Sequence, residues 1–277
     1  MILSKWRVSA IVFLMLLIAI VVSAEEPPKL PMSIYGKVNA SIQKDDSAEK
    51  ETNIKSNASR IGIKGGMKVS DDLKAIYKIE WQVDVADNEG DNFKARSQWV
   101  GLKGTFGSVL LGRNDTAMKL SQGKIDLFND LNADLKHLFS GENRLDDTLT
   151  YISPKFNDFS VTATFVAEDN SKSNGKNGTS VALMYGDAKL KKSSVYAAVA
   201  RDTDVAGSDT TRVTVNGKLG ALKLGAVWNE SEKADGSSKG DAFLVNAAYT
   251  IDKTTLKVQL QDGDDKKTGE VLSIGVD

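Results

Sequence analysis

The chain of 277 residues contains no cysteine and only one histidine, His137. Without cysteine, it has neither a disulfide framework nor a thiolate that could act as ligand or nucleophile. A single imidazole cannot form a histidine-based metal cluster. A Ser–His pair that uses His137 stays open, although the sequence identifies no partner for it. We therefore predict no catalytic residue, no metal site and no cofactor.

An excess of charge of one sign is also missing, since 36 Lys and Arg residues stand against 37 Asp and Glu residues. Proteins that bind nucleic acids usually carry a clear basic excess. We therefore expect no nucleic-acid partner.

Long hydrophobic runs are missing everywhere except near the N-terminus, where residues 8–22 are apolar apart from Ser9. Lys5 and Arg7 precede this run, and Val22, Ser23 and Ala24 follow the pattern that a signal peptidase cleaves. A transmembrane helix is the alternative, but it needs ~20 apolar residues, more than this run provides. The pattern predicts a cleaved signal peptide over residues 1–24.

From residue 33 onward, apolar and polar residues alternate with a period of two, which is typical of β-strands with one apolar face. In residues 33–43 the even positions are mostly apolar and the odd positions mostly polar. The same alternation recurs in residues 72–85, 159–168, 211–218, 222–229, 242–251 and 254–261. Most runs last ~9–11 residues, the length that a tilted strand needs to cross the hydrocarbon of a bilayer.

The connections between these runs alternate between short and long. Residues 66–71 and 186–189 are short connections, whereas residues 114–143 and 202–209 are long ones. This alternation is typical of outer-membrane barrels, which have short periplasmic turns and long outer loops. We predict an all-β fold, an antiparallel up-and-down transmembrane β-barrel of about 14 strands over residues 25–277. A soluble sandwich is the alternative, but its strands are shorter and usually joined in Greek-key order.

The polar face of the predicted strands is rich in cations, which in a barrel would line a water-filled lumen. The long connection at residues 114–143 carries several acids, and its apolar residues recur at helical spacing. An excursion of this length inside a compact meander suggests a function. We expect it to fold against the barrel wall with its acids facing the pore; the apolar residues are Phe128, Leu131, Leu135, Leu138 and Phe139.

Several short segments resemble the general porins of Gram-negative bacteria in both order and spacing. The matching segments are residues 34–37 (IYGK), 59–65 (SRIGIKG), 73–80 (LKAIYKIE), 99–104 (WVGLKG), 111–113 (LGR), 143–144 (NR) and 149–154 (LTYISP). Beyond residue 154 the likeness is one of architecture alone.

The resemblance implies a trimeric, water-filled barrel in the outer membrane, surrounded by lipid and lipopolysaccharide, that lets ions and small hydrophilic solutes diffuse passively. In such porins, basic wall residues face acidic residues on an inward-folded third outer loop. By position, the basic side would be Lys37, Arg60, Arg96 and Arg144, with Glu80 as an acid on the wall. On the loop, the candidates are Asp126, Asp130 and Asp134.

The sequence also departs from the general porin pattern of sixteen strands and a terminal aromatic residue. About fourteen strands are visible, and the sequence stops at Asp277, which suggests either a truncated chain or a smaller barrel. Two other functions stay open: an outer-membrane barrel enzyme such as a lipase or protease, with polar groups around His137, and a soluble, secreted β-rich binding protein.

Overall fold

The computed structural model describes residues 31–44, 52–87, 91–172 and 174–277. The predicted signal peptide, residues 1–24, lies outside the described residues and stays a prediction. The strands are β1 (Met32–Lys37), β2 (Ala40–Lys44), β3 (Thr52–Ser56), β4 (Arg60–Ser70), β5 (Leu73–Val83), β6 (Phe93–Gly104), β7 (Gly107–Asp115), β8 (Arg144–Ile152), β9 (Phe159–Val166), β10 (Gly178–Gly186), β11 (Val195–Val205), β12 (Ser208–Leu219), β13 (Leu222–Lys233), β14 (Lys239–Ile251), β15 (Thr254–Gly263) and β16 (Gly269–Val276).

Fourteen of these strands form one antiparallel sheet in which neighbours in sequence are also neighbours in space. The order is β1, then β4 through β16, and β2 pairs with β3 as a separate hairpin that extends from the first connection. Each strand therefore returns beside its predecessor, with no crossover. The predicted all-β, up-and-down architecture of about fourteen strands is confirmed.

The sheet is strongly curled, because one loop touches strands that are far apart in its order. Asp126 accepts a hydrogen bond from Gln259 of β15 at 3.0 Å, and Asp130 binds Arg60 of β4 at 2.7 Å. In a flat sheet, strands eleven positions apart would lie ~50 Å from each other. Four residues of chain reach at most ~14 Å. The two margins of the sheet must therefore curve toward each other around this loop.

The two faces of the sheet have the reverse of the polarity found in a water-soluble protein. In β12 the inward side chains are polar and buried: Thr210, Arg212, Thr214 and Asn216. The alternating side chains Val213 and Val215 point outward and are 40% and 46% exposed. An apolar outer face around a polar interior is the arrangement that lipid-embedded barrels require.

Our prediction of a long connection at residues 202–209 is wrong. β11 and β12 continue through this segment and are joined by Ala206 and Gly207, which have φ values of 53° and 76°. Two consecutive positive φ angles are typical of a tight hairpin turn. Most of the polar residues there pair in the ladder, since backbone pairing does not depend on side-chain polarity, and the register shifts between Asp202 and Val205. The predicted short connection at residues 186–189 is instead longer, because β11 begins only at Val195.

Two short helical segments lie between β7 and β8. They are α1 (Ala117–Ser121) and a 3₁₀ turn (Leu135–His137). The side chain of Thr116 accepts a hydrogen bond from the amide of Lys119 and so caps α1, and Asp134 caps the 3₁₀ turn through the amide of Lys136. Within the described ranges, no helix is long and apolar enough to span a bilayer.

Candidate functional site

The inward loop, residues 116–143, packs against the polar face of the sheet through an apolar stripe. Four of its side chains form a buried cluster with inward residues of β13 and β14: Ile125, Leu135, Leu138 and Phe139 on the loop, and Val227, Ala242 and Leu244 on the strands. At its start, Ala117 and Met118 pack on Ala182 and Ala200 of β10 and β11. The expected packing of this segment against the wall is what the structure shows.

Polar side chains of the wall also bind the backbone of the inward loop. Gln259 accepts a hydrogen bond from the amide of Leu127 at 2.9 Å, and Gln261 donates to the carbonyl of Ala133 at 2.7 Å. Asn246 donates to the carbonyl of Ile125 at 2.6 Å. Apolar packing and amide contacts together hold the middle of the loop on β14 and β15.

A buried arginine secures the end of the inward loop. Arg212 of β12 has a fully buried side chain and pairs with Glu142 at 2.5 Å. It also donates to the carbonyl of Ser140 at 2.7 Å and to the side chain of Asn229 at 3.0 Å. The amide of Ser140 in turn donates to Asp265 of the connection between β15 and β16, at 2.8 Å. This clamp leaves the end of the loop little freedom.

Opposite the packed side, the loop places Asp130 against cations of the wall. Its carboxylate lies 2.7 Å from the guanidinium of Arg60 and 3.2 Å from the ammonium of Lys37. Arg60 and Lys37 are directly paired residues on β4 and β1. The structure therefore brings together Lys37, Arg60 and Asp130, three of the residues that we predicted from the sequence for the two sides of a constriction.

Glu80 forms the second charged group of the wall. Arg96 lies 2.8 Å and Lys78 3.3 Å from its carboxylate, and Tyr35 donates its hydroxyl at 2.8 Å. The register between β5 and β6 shifts at this point, so that two residues of β6 oppose Glu80 alone. Such a bulge re-aims side chains, and here it accompanies the approach of Arg96 to the carboxylate. The ammonium of Lys64 lies 5.2 Å from the centre of the Tyr35 ring.

Arg144 has a different neighbour from the other predicted cations. Its guanidinium lies 2.9 Å from Asp115, which also pairs with Lys119 at 3.6 Å. All three residues lie at the base of the inward loop, where β7 ends and β8 begins. Arg144 is thus placed at the base of the loop, paired with Asp115, and not with Asp130.

Asp126 and Asp134 both bind the backbone of the inward loop with their carboxylates, and Asp126 also accepts from Gln259 of β15. Asp126 accepts from the amides of Phe128 and Leu135, and Asp134 accepts from the amides of Asp130 and Lys136. Burial is the main reason that the pKa of Asp126 is raised to about 6, and its hydrogen bonds oppose this shift. The two acids shape the loop that presents Asp130.

The raised pKa of Asp126 predicts a dependence of stability on pH. Its ordinary pKa is 3.8, so between about pH 4 and pH 6 the folded chain keeps a proton that the unfolded chain has lost. Stability should therefore fall as the pH rises through this window, by about 3 kcal/mol, and then level off. Urea unfolding from lipid bilayers, followed by tryptophan fluorescence, measures this. Asp126→Asn should remove this contribution, so that stability falls less across the window, and a pH profile identical to that of the wild type would contradict the assignment.

His137 is exposed at the end of the 3₁₀ turn, and no described residue hydrogen-bonds its imidazole. Partial burial and the neighbouring cation Lys136 lower its pKa. No group of three or more His, Asp or Glu side chains in the described ranges is arranged to hold a metal ion. The polar groups that a hydrolase would need around this histidine are not among its contacts.

Five residues of the site were not identified as site residues from the sequence: Tyr35, Lys78, Asp115, Glu142 and Arg212. The alternation of residues 211–218 places Arg212 on the inward face, so this position carried a signal. Nothing in the sequence indicated that Tyr35 would reach Glu80, 45 residues away.

Comparisons with known proteins agree with this geometry. A family model described as Gram-negative porin matches residues 9–277. The major outer membrane protein P.IB of Neisseria sicca is 30% identical over 159 residues, which is 52% of this chain but only 44% of that protein. The chain thus spans less than half the length of this relative.

Solved structures show the same fold at low sequence identity. Salmonella typhi OmpF, in a complex with daunomycin, superposes with a TM-score of 0.70 at 15% identity, covering 88% of this chain and 85% of OmpF. The trimer form of OmpT from Vibrio cholerae gives a TM-score of 0.63 at 16% identity, covering 89% of this chain and 83% of OmpT.

Proposed function

The chain belongs to the Gram-negative porin family, and we propose on this premise that it forms a water-filled channel for passive diffusion of ions and small hydrophilic solutes. Family membership makes it an outer-membrane protein and not an enzyme, which sets aside the lipase or protease alternative and the soluble binding protein. The observation that carries the proposal is the inward loop, which crosses the polar interior and sets Asp130 against Lys37 and Arg60.

The charges at this point make the proposed constriction selective. The wall contributes Lys37, Arg60, Lys78 and Arg96 against Glu80, and the loop contributes Asp130. Opposed charges across a narrow opening with low-dielectric walls interact more strongly than in bulk water. They would orient dipolar solutes and bias which ions enter. In this proposal Asp126 and Asp134 position the loop, and Arg144 secures its base.

We also propose that the channel works as a homotrimer, surrounded by outer-membrane lipid and lipopolysaccharide. The apolar outer face of the strands suits lipid and neighbouring subunits equally. The similarity in fold to a porin solved in a trimer form supports this assembly. Chemical cross-linking of the detergent-extracted chain should give a trimer band, and a monomer alone would contradict it.

Reversal potentials across a salt gradient in planar bilayers test the proposed constriction. Asp130→Asn should shift the permeability ratio toward anions, and Arg60→Gln combined with Arg96→Gln should shift it toward cations. We expect each shift to be at least about twofold, because the charges lie within a Debye length of the passing ion. Asp252→Asn, in the turn between β14 and β15, removes an exposed charge elsewhere and should leave the ratio unchanged.

Two outcomes would count against the proposal. If the wild-type chain produced no conductance steps, it would not form a channel under these conditions. If it conducted but both sets of variants kept the wild-type ratio, the narrowest point of the channel would lie away from Asp130.

A further inference from the structure

A cavity of about 270 Å³ lies at the end of the sheet that carries the inward loop. It is bounded by the end of the inward loop, the connection between β9 and β10, the turn between β11 and β12, and the connection between β15 and β16. The polar and charged residues that line it are Ser140, Glu142, Asn143, Lys172, Ser208 and Lys266. Phe139 and Val205 add an apolar wall. The cavity is separate from the cluster around Asp130.

Two ammonium groups line this cavity without a carboxylate partner. Neither Lys172 nor Lys266 forms an ion pair with any residue in the described part of the chain. Lys266 donates one hydrogen bond to the carbonyl of Lys136 at 2.7 Å, and Lys172 donates one to the side chain of Asn143 at 3.5 Å. Since an ammonium group has three donors, each lysine can still donate to a ligand.

The one carboxylate in the cavity wall is already neutralised. Glu142 pairs with the fully buried guanidinium of Arg212 at 2.5 Å. Burial is the main cause that lowers the pKa of Lys172, and repulsion from Lys266, Lys119 and Arg113 adds to it. Lys119 and Arg113 have carboxylate partners in Asp115 and Asp146. The uncompensated charge of the cavity is therefore positive and belongs to Lys172 and Lys266.

We propose that this cavity binds a small oxyanion of the phosphate class between Lys172 and Lys266. Charge-assisted hydrogen bonds from two ammonium groups suit an anion with several acceptor oxygens. The hydroxyls of Ser140 and Ser208 and the amide of Asn143 supply further donors from the cavity wall. The bound anion would relieve the repulsion between the two lysines. This site goes beyond the proposed channel function, and it would hold anions at one mouth, away from the cluster around Asp130.

Binding of inorganic phosphate to the refolded chain in detergent tests the site without any measurement of conductance. Line broadening of the phosphorus NMR signal during a phosphate titration should show saturable binding. The double variant Lys172→Gln/Lys266→Gln should weaken the affinity by at least about tenfold, and Lys172→Gln alone should weaken it less. The matched control Lys191→Gln/Lys253→Gln removes two exposed charges at the opposite end of the sheet and should bind like the wild type.

Two results would overturn the proposal. If phosphate binding to the wild type did not saturate, the site would be excluded. If the double variant and its control bound phosphate with equal affinity, the binding would lie elsewhere. Heat-modified migration on gels checks that every variant is folded, and Lys172→Arg should keep most of the affinity. Lipopolysaccharide added to the detergent should not compete. If it did, the phosphate groups of the lipid, and not a soluble anion, would be the ligand.

Discussion

Replacing Arg212 with Met should lower the free energy of unfolding by about 3–5 kcal/mol, since it leaves the carboxylate of Glu142 buried without its partner. The side chain of Arg212 is fully buried and that of Glu142 is 6% exposed, so little water can reach the position of the lost guanidinium. The carbonyl of Ser140 also loses its shorter hydrogen bond and keeps only the one from the side-chain amide of Asn229, at 3.5 Å. Urea unfolding from lipid bilayers measures the loss. Because the end of the inward loop is then freed, single-channel recordings should also show greater noise in the open state.

Two further variants separate the clamp from a general effect of removing an arginine. Arg201→Met breaks an exposed ion pair with Asp209, and we expect a change below about 1 kcal/mol. The double variant Arg212→Met/Glu142→Met removes both buried charges and should recover most of the lost stability. An Arg212→Met chain as stable as the Arg201→Met chain would show that the clamp does not hold the loop.

Replacing Val215 with Arg should cost about 2–4 kcal/mol, because it places a charge on the outer face near the middle of the hydrocarbon. The register supports this depth. Val213 is level with Trp228 and Phe243, while Leu219 is level with Leu222 and Tyr249. Aromatic residues mark the two interfaces of a membrane barrel, and Val215 lies between these two rows. The fraction of chain that refolds into bilayers, and its urea midpoint, should both fall.

The same substitution at Leu219 is the matched control. Leu219 is the last residue of β12, points to the same outer face and is 81% exposed. An arginine near the interface costs only about 0–1 kcal/mol. Val215→Leu, which adds apolar volume on a lipid-facing surface, should have little effect. If arginine were tolerated equally at both positions, this face of β12 would not contact hydrocarbon.

The strands could be predicted from the sequence because successive side chains face two different environments. Apolar side chains point outward and polar side chains point into the interior. In β12, every second residue from Thr210 to Asn216 is polar and buried, and Val213 and Val215 between them are apolar and exposed. This alternation is visible in the sequence of a single strand, whichever residues of the neighbouring strands it pairs with. Connection lengths were less predictable, since polar residues such as those at 202–209 occur both in loops and in strand ends beyond the hydrocarbon.

The pairing of charges could not be read from the sequence in the same way. Lys37, Arg60 and Asp130 were all proposed, but which acid of the loop would face the wall depends on how the loop folds. Asp126 and Asp134 accept hydrogen bonds from the loop backbone, which leaves Asp130 for the cations. The partner of Arg144 likewise depends on the backbone at the start of the loop. The assignment of these residues to a constriction stays a prediction until conductance is measured.

The inward loop also bears on the order in which the chain folds. The contacts that seat it join residues far apart in sequence: Asp126 and Gln259 are separated by 133 residues, and Ser140 and Asp265 by 125. Contacts of such long range form late and slow folding, since the loop-closure entropy is lost before they can form. Until β13 to β15 are in place, the apolar side chains of the loop have no wall to cover them. A partly assembled sheet would thus present Leu135, Leu138 and Phe139 to other chains, and aggregation from this intermediate would compete with completion of the fold.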